Sequence, residues 1–266
     1  MGRTIQLALL QMDVVIGEPE SNFQRAKEML EEAVKGTQKP DVILMPEMWN
    51  TGYALEQIDA LADTKGSHTT KLVSEFCRKY EVNVIAGSVS DKSDESDEVK
   101  NTIYVFDREG HEVADYSKIH LFRLMEEEKF LTAGDRVGIA QLEESKIGLA
   151  ICYDIRFPEL ARKIALNGAK VLFLPAEWPH PRLHHWRTLI QARAIENQMF
   201  VVASNRVGVS RGTEFFGHSM IVSPWGEVLA EGEEDETILT AEIDLTEVER
   251  VRRTIPVFQD RRPELY

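Results

Sequence analysis

Three residues with reactive side chains follow apolar segments of the sequence: Glu47, Lys118 and Cys152. Segment 41–45 is apolar and meets Pro46 directly before Glu47. Segment 146–151 is likewise apolar and meets Cys152, and Lys118 lies between apolar and aromatic residues in segment 116–122 (YSKIHLF). Because α/β proteins place their sites in loops that follow strands, these side chains are candidates for chemistry.

Each candidate also has a structural interpretation. Glu47 is either an exposed loop glutamate or a partly buried carboxylate that acts as a general base near neutral pH. Lys118 is either a surface lysine or a cation directed at a developing oxyanion. Cys152 is either a small buried hydrophobe or a partly exposed thiol whose thiolate is favoured by nearby cations. Taken singly, the residues leave both interpretations open.

Other chemistries have weaker support. His120 and His218 are candidate bases for a cysteine–histidine pair, and spacing alone excludes neither. The histidines in segment 180–185 are not expected to bind a metal, because prolines interrupt the helix that would align them and no His-Glu-x-x-His or Cys-x-x-Cys pattern is present. There is no phosphate-binding glycine loop either, so no cofactor is predicted. Cys77, on the apolar face of a predicted helix, is assigned to the core.

The elements that must position these residues alternate between strand and helix. Apolar runs predict strands at Thr4–Gln11, 41–45, 83–89, 102–107, 111–118, 146–151, 170–174, 200–204, 219–223, 228–230 and 237–243. Helical spacing predicts helices at 21–36, Ser67–Tyr80, 158–167 and 184–198. Ser21 and Gln24 are expected to cap the first helix, and the acidic stretch 91–98 is expected to form a hairpin loop. The alternation predicts the α/β class, and no linker or repeat divides the single domain 1–266.

Composition narrows the function further. The chain has 266 residues, of which 43% are hydrophobic, so it can bury a sizeable core. Its net charge of −14 disfavours binding to nucleic acid or to an anionic membrane. The apolar N-terminal segment is short and is interrupted by Gln11 and Asp13, and no run approaches 18 apolar residues. With only two cysteines, far apart, the chain is predicted to be cytoplasmic.

Together the three reactive segments resemble the nitrilase (carbon–nitrogen hydrolase) superfamily. Its members carry a glutamate after a proline, a lysine in a Lys-x-His-Leu-Phe-like stretch, and a cysteine before Tyr-Asp-x-Arg-Phe-Pro-Glu, in that order. Similar motifs continue at 174–179 (LPAEWP), 193–197 (RAIEN), 204–208 (SNRVG), 216–220 (FGHSM) and 224–226 (PWG). The resemblance therefore covers nearly the whole chain.

The resemblance implies a fold and an assembly. The expected fold is a four-layer α-β-β-α sandwich, and the expected assembly is a homodimer or larger homo-oligomer formed through outer helices and the C-terminal tail. The tail 251–266 contains apolar Ile255, Val257, Phe258 and Tyr266, which favours a subunit interface. A tail folded on its own chain is the alternative.

The resemblance also implies a mechanism. Cys152 is expected to attack an amide and form a thioester, with Glu47 taking its proton and later activating water. Lys118 and the backbone N–H of Tyr153 are expected to stabilise the oxyanion. In this context the glutamate, rather than a histidine, is the expected base.

Family members carry a second glutamate after the lysine. Counting back from Gly134 and Asp135 favours Glu127, whereas counting forward from Lys118 favours Glu126, and Glu127 is the prediction.

The substrate class follows from the residues around the cysteine. True nitrilases usually have Trp-Glu after the nucleophile, whereas Tyr-Asp here is similar to the amidase branches. Segment 120–123 (HLFR), followed by three acidic residues, is similar to bacterial ω-amidases, which hydrolyse the terminal amide of 2-oxoglutaramate and related oxo-acid amides. Such a substrate carries a carboxylate, and Arg123, Arg156 and Arg206 are the candidate cations. Arg156 has a structural alternative as an ion pair with Asp154 or Glu159.

Two other functions stay open at this point. An N-carbamoyl amino acid hydrolase is the nearest enzymatic alternative, and a catalytically silent binding subunit is an alternative of another class. The expected partner in either enzymatic case is a small-molecule substrate rather than nucleic acid or membrane.

Overall fold

The computed structural model of the protein describes residues 4–36 and 38–265. Fifteen strands are present in this part of the chain: β1 Thr4–Gln11, β2 Val42–Leu44, β3 Asp63–Thr64, β4 Asn83–Lys92, β5 Val99–Phe106, β6 Glu112–Ser117, β7 Gly138–Leu142, β8 Ser145–Leu149, β9 Val171–Ala176, β10 Phe200–Asn205, β11 Val207–Ser210, β12 Thr213–Phe216, β13 Met220–Val222, β14 Val228–Glu231 and β15 Thr237–Asp244. The helices in the same residues are α1 Pro19–Ala33, α2 Ile58–Leu61, α3 Ser67–Tyr80, α4 Pro158–Leu166, α5 Leu183–Asn197 and α6 Thr246–Thr254.

The strands form two main sheets. The first has the order β15-β1-β2-β4-β5-β6, with β3 paired to β4, and the second has the order β14-β13-β10-β9-β8-β7. The centre of each sheet is parallel: β1, β2 and β4 in the first, and β8, β9 and β10 in the second. Loops leaving the carboxyl ends of these central strands carry Glu47 after β2 and Cys152 after β8, which is where α/β sheets place their sites.

The central strands carry continuous apolar runs because both faces are covered. In β1, Leu7 and Leu9 belong to the core between the two sheets, whereas Ala8 and Leu10 belong to the core under the helices. Helices α1 and α3 pack on the first sheet, and α4 and α5 pack on the second. This arrangement confirms the predicted α-β-β-α sandwich and explains why a continuous apolar run, rather than an alternating one, marked these strands.

Several predicted boundaries were wrong. Helix α1 begins at Pro19, and no side-chain cap is formed, because proline at the first helical position has the backbone angle that a helix requires. The capping box expected from Ser21 and Gln24 is therefore absent at this helix start. Strands β4 and β5 extend further than predicted and pair antiparallel, so the acidic stretch is a hairpin turn, as expected, but a shorter one.

Some elements were not predicted at all. Strand β7 and the β11–β12 hairpin are short and mixed in polarity, so they lack a clear apolar run. Helix α6 overlaps the start of the predicted tail 251–266.

The tail folds partly on its own chain. The ring of Phe258 lies between the guanidinium groups of Arg162 and Arg252, with centroid distances of 5.1 and 4.9 Å. Ile255 and Leu265 remain exposed, and Tyr266 lies outside the described residues. The self-folded alternative therefore holds at Phe258.

The helices do not match the length and polarity of a membrane span. Within residues 4–36 and 38–265, every helix is too short or too polar to cross a bilayer.

Candidate active site

Glu47 is buried at the end of β2. Its side chain is 0% exposed, which excludes the surface interpretation. Strand β4 approaches this turn so closely that a Cβ on Gly87 would lie 2.0 Å from the carbonyl oxygen of Pro46, and Gly87 has φ +57°. Only glycine fits such a close approach with a left-handed backbone. The amide of Ser88 then donates to the Pro46 carbonyl at 3.0 Å, which fixes the turn that carries Glu47.

Four donors surround the Glu47 carboxylate. Oε1 accepts hydrogen bonds from Lys118 Nζ at 2.9 Å and Asn101 Nδ2 at 2.8 Å, and it lies 3.1 Å from the Tyr53 hydroxyl. Oε2 accepts a hydrogen bond from the backbone amide of Glu177 at 2.8 Å. A buried carboxylate needs this many partners, because burying an unpaired charge is strongly unfavourable.

Lys118 follows the last residue of β6 and is also fully buried. Its amide donates to the Asn101 carbonyl at 2.9 Å, so the lysine is held against the neighbouring strand. Its Nζ lies 2.9 Å from Glu47 Oε1 and 2.7 Å from Glu127 Oε1. The ammonium therefore bridges two carboxylates.

Glu127, rather than Glu126, belongs to this cluster. Glu127 is 0% exposed, and its Oε2 accepts a hydrogen bond from the Phe122 amide at 2.9 Å. The Tyr53 hydroxyl lies 2.6 Å from Glu127 Oε1. Glu126 is exposed and pairs with Lys129 instead.

Burial and neighbouring charges determine the protonation of the lysine and the tyrosine. Burial by itself lowers the pKa of Lys118, but the carboxylates of Glu127 and Glu47 outweigh it and raise that pKa well above its usual value. Burial, followed by the same two carboxylates, raises the pKa of Tyr53 well above its usual value. Lys118 is therefore a cation and Tyr53 a neutral hydroxyl at neutral pH.

Cys152 lies in a strained turn after β8. It begins the short 3₁₀ helix Cys152–Arg156 and has φ 43°, a conformation that non-glycine residues rarely adopt. Asp154 holds this turn: its Oδ2 accepts from the Ile151 amide at 2.9 Å and from the Tyr116 hydroxyl at 2.7 Å. Tyr153, whose N–H is the predicted oxyanion donor, follows Cys152 in the same helix.

The Cys152 thiol differs from the sequence-based expectation. It is 6% exposed rather than partly exposed. Burial raises its pKa well above the usual value, the Glu47 carboxylate raises it further, and Lys118 opposes both. The thiolate is thus not favoured at rest, because the lysine charge is already shared by two carboxylates. Glu47 lies close enough to the thiol to raise its pKa, so that carboxylate is placed to accept its proton.

The histidines considered as bases have other partners. His120 contacts Asp154 Oδ1 through its Nδ1 at 2.7 Å and stacks on Phe157 with ring centroids 3.6 Å apart. His218 lies against Glu231, with Nδ1 to Oε1 at 2.9 Å. His120 therefore holds the cysteine loop by hydrogen bonding.

A cleft opens at Cys152. It is narrow and is lined by Phe122, Cys152, Tyr153, Arg156, Glu177, Trp178, Pro179 and Arg182.

Two arginines flank this cleft. The guanidinium of Arg156 lies over the Trp178 ring at 4.6 Å, and that of Arg182 lies over the Phe122 ring at 5.8 Å. Burial lowers the pKa of Arg156, and the nearby charge of Arg182 lowers it as well. Among residues 4–36 and 38–265 neither has a salt bridge to a carboxylate, so the predicted pairing of Arg156 with Asp154 or Glu159 is absent there.

The other two predicted arginines lie elsewhere. Arg123 is exposed and lines an adjoining surface cleft with Leu124 and Glu128, which shares Phe122 and Tyr153 with the cleft at Cys152. Arg206 is fully buried and lies 3.1 Å from Asp13 Oδ1 and 3.6 Å from Glu177 Oε1. The structure thus brings neither to the lining of the cleft, because a loop faces Arg123 outward and Arg206 is bonded to Asp13 and to the carbonyl oxygens of Val14 and Val207.

Sequence reasoning missed four polar residues of the site: Tyr53, Asn101, Glu177 and Arg182. Tyr53 and Arg182 lie in or beside loops, and Asn101 lies inside a strand, so no spacing links them to Glu47 or Cys152. Glu177 stands in the motif LPAEWP at the end of β9, and its position after a parallel strand was the signal that could have found it.

A cluster of possible metal ligands lies outside the candidate active site. The one group of acidic and histidine side chains close enough to share an ion, within the part of the chain that the structure describes, is Asp107, Glu109 and His111. This group lies on the surface turn between β5 and β6, away from Cys152. In the candidate active site, the ammonium of Lys118 occupies the position between the carboxylates of Glu47 and Glu127 where a metal ion would otherwise bind.

Comparison with known proteins agrees with this geometry. The family model described as carbon-nitrogen hydrolase matches residues 6–253. The chain is 46% identical over 260 residues to the 2-oxoglutaramate amidase of Bacillus subtilis, covering 98% of each chain. It is 38% identical to the "Hydrolase in agr operon" of Staphylococcus aureus, covering 98% of this chain and 100% of that protein.

A solved structure shows the same architecture. Nit3 of Saccharomyces cerevisiae, a member of branch 10 of the nitrilase superfamily, superposes with a TM-score of 0.91 at 28% identity, covering 98% of this chain and 97% of that one. The chain belongs to the carbon–nitrogen hydrolase family. It is accordingly a hydrolase of carbon–nitrogen bonds, which confirms the class expected from its motifs.

Proposed function

We propose that this enzyme hydrolyses the terminal amide of a small acid amide of the 2-oxoglutaramate type, releasing ammonia. One observation carries the proposal: the Cys152 thiol, beside the buried Glu–Lys–Glu cluster, lines the same small cleft as two arginines that have no salt bridge to a carboxylate within residues 4–36 and 38–265. The first arrangement suits amide cleavage and the second suits a carboxylate on the substrate. The amidase from Bacillus subtilis, similar over its full length, has this activity in its name.

The proposed reaction has two halves. Cys152 attacks the amide carbonyl as Glu47 accepts the thiol proton, and the resulting oxyanion accepts hydrogen bonds from Lys118 Nζ and the Tyr153 amide. Collapse of the tetrahedral intermediate breaks the carbon–nitrogen bond, and the proton held on Glu47 leaves with ammonia. Water, deprotonated by Glu47, then attacks the thioester to give the carboxylate and restore the thiol. Glu127, bonded to Lys118, orients that ammonium and the leaving nitrogen.

The two arginines are the proposed carboxylate site. Because both guanidinium groups are stacked on aromatic rings, they are held in place before substrate binds, which favours bidentate contact with a carboxylate. Replacing either by glutamine is expected to raise KM for 2-oxoglutaramate by roughly ten- to a hundredfold, the loss of one charge-assisted interaction of about 1.5–3 kcal/mol. Steady-state kinetics with an uncharged amide as a second substrate check this.

Arg123→Gln is the matched control for these variants. Arg123 is exposed in the neighbouring loop and does not line the cleft at Cys152. The KM of the Arg123→Gln variant for 2-oxoglutaramate is therefore expected to stay at the wild-type value. Equal effects of Arg123→Gln and Arg182→Gln on KM would contradict the assignment of the carboxylate site.

A substrate panel tests the function itself. Ammonia release would be measured with 2-oxoglutaramate, glutamine, an aliphatic nitrile and an N-carbamoyl amino acid. Turnover of 2-oxoglutaramate above the others supports the proposal. Release of carbon dioxide together with ammonia would indicate the carbamoylase alternative, whose substrates also carry a carboxylate. Alkylation of Cys152 without any turnover would indicate the silent binding subunit.

We also propose that the enzyme is a cytoplasmic homodimer. Ile195 on α5, Trp225, and Val228 and Leu229 on β14 are exposed large apolar side chains, and Ile195 lies against the Gly226 turn beside Trp225. Such a cluster is typical of a protein interface. A reducing compartment suits an enzyme that depends on a free thiol.

Light scattering after size-exclusion chromatography tests the dimer. Wild type is expected at twice the chain mass, and Ile195→Glu, which places a charge in the apolar cluster, is expected to shift the mass to that of the monomer. Val113→Glu is the matched control, because it introduces the same charge at an exposed apolar residue of β6. It is expected to leave the mass unchanged. A monomeric wild type would exclude the dimer.

A further inference from the structure

Glu177 is a buried carboxyl group at the cleft whose side-chain oxygens lack hydrogen bonds within the described part of the chain. It is 1% exposed and lines the cleft together with Cys152. Its backbone amide is used by Glu47, but neither side-chain oxygen has a hydrogen-bond partner among residues 4–36 and 38–265. Buried polar atoms are rarely left unpaired, and an unpaired group facing a cleft points to a ligand.

Arg206 stands behind Glu177 and has its own counter-charge. Its Nε donates to the Val207 carbonyl at 3.0 Å, and its Nη2 donates to the Val14 carbonyl at 2.7 Å and to Asp13 Oδ1 at 3.1 Å. Only Nη1 faces Glu177, at 3.6 Å from Oε1, and Nη1 also lacks a hydrogen-bond partner within the described chain. Arg206 therefore contacts Glu177 weakly and does not require it to be an anion.

The charges around Glu177 favour its neutral form. Burial raises the pKa of Glu177 to about 8, the Arg206 charge works against this, and the nearby Glu47 carboxylate adds to it. The cluster already holds two carboxylates, Glu47 and Glu127, with one ammonium between them. A third anion beside them would be repelled, so at neutral pH the group is a carboxylic acid with one O–H to donate.

We propose that Glu177 is a specificity residue whose carboxylic acid donates a hydrogen bond to an uncharged acceptor oxygen on the acyl chain of the substrate, such as a 2-oxo group. In this arrangement Arg206 Nη1 moves in from its present 3.6 Å and donates to Oε1, which acts as the carbonyl oxygen, and Oε2–H is directed at the substrate. All three unpaired atoms are then satisfied.

The inference rests on the proposed function and gives a physical reason why the enzyme would prefer an acid amide that carries a 2-oxo group. The scissile carbonyl is taken by Lys118 and the Tyr153 amide, and the carboxylate by the two arginines at the cleft. What remains of a 2-oxo acid amide is the oxo oxygen, which only accepts hydrogen bonds. A neutral carboxylic acid complements it, whereas a carboxylate would repel it and the adjacent substrate charge.

The other titratable groups facing the cleft do not compete for this role. The pKa values of Lys118, Tyr53 and Cys152 are raised well above their usual ranges, so these groups change charge at higher pH than Glu177. Arg156 and Arg182 at the cleft stay charged near pH 8, as arginines do. The loss of the Glu177 proton can therefore be told apart from the titration of these groups by the pH at which activity falls.

A pair of substrates and two variants test the inference. The substrates are 2-oxoglutaramate and the same acid amide without the oxo group, 5-amino-5-oxopentanoate. Glu177→Met keeps the approximate size and removes the donor, and is expected to lower the wild-type preference for the oxo compound, measured as the ratio of kcat/KM values, by about five- to a hundredfold. Glu177→Gln keeps an N–H donor and is expected to retain most of that preference.

The pH dependence separates this role from a structural one. For wild type, kcat/KM on 2-oxoglutaramate is expected to fall as the pH rises through about 8, because Glu177 loses the proton it donates. Glu177→Gln cannot ionise and is expected to remove that fall, and it serves as the test should Glu177→Met not fold. An unchanged substrate ratio in Glu177→Met, or a fall that persists in Glu177→Gln, would overturn the inference. Failure of wild type to hydrolyse either acid amide would instead overturn the proposed function.

Discussion

Cys152→Ala is expected to lower kcat for amide hydrolysis by about 10⁴-fold or more, the scale on which removal of a catalytic nucleophile acts in hydrolases. The reason is that no thioester can form without Sγ. The nearest carboxylate, Glu47, is held by four donors and is not free to attack in its place. Ammonia release from 2-oxoglutaramate, together with mass spectrometry of the trapped acyl-enzyme, measures both the rate and the intermediate.

Cys77→Ala is the matched control for this variant. Cys77 is the other free cysteine, is 0% exposed within the core under α3, and has a pKa raised to about 12 chiefly by burial. It is expected to react with neither substrate nor iodoacetamide, so the variant should retain activity and wild type should be labelled at Cys152 alone. Full activity in Cys152→Ala would show that another group is the nucleophile.

Lys118→Met is expected to have the second largest effect, on both rate and stability. Loss of a preorganised oxyanion donor typically lowers the rate by about 100- to 1000-fold. The substitution also leaves Glu47 and Glu127 buried without their shared cation, and breaking a buried ion pair in this way destabilises a fold by about 3–5 kcal/mol. Denaturant unfolding and kcat, measured on the same preparation, report the two effects separately.

The pH range of this stabilisation follows from the direction of the shift. Because the pKa of Lys118 is raised in the folded state, its stabilising contribution is fully present below the usual lysine pKa of 10.5 and is lost only as the pH rises through the folded value. The difference in unfolding free energy between wild type and Lys118→Met is therefore expected to be present throughout the neutral range.

Lys129→Met provides the comparison with an exposed ion pair. Lys129 pairs with Glu126 on the surface, and exposed pairs of that kind contribute little to stability because water screens them. Its stability and kcat are expected to remain near wild type. A Lys118→Met variant as stable and active as Lys129→Met would contradict the buried, bridging role of Lys118.

The sequence by itself determined the class of fold, because burial on both faces of a sheet leaves a continuous apolar run and helical packing leaves a 3.6-residue spacing. It also marked Glu47, Lys118 and Cys152 as candidates, because each follows or ends an apolar segment, and their order along the chain, rather than any one of them, gave the resemblance to the family. Short elements such as β7 lack sufficient apolar residues to be recognised in this way.

Only the tertiary structure decided which polar residues meet at the site. Glu126 and Glu127 are neighbours in sequence but differ in burial. The side chain of Glu126 lies in solvent, whereas that of Glu127 lies in the buried cluster with Lys118. Arg182 and Glu177 come to the cleft from the loop after β9, and Arg206 is taken out of it by Asp13, which is 193 residues away in the chain. Contacts over such separations depend on how the two sheets pack, and no local pattern of residues records that.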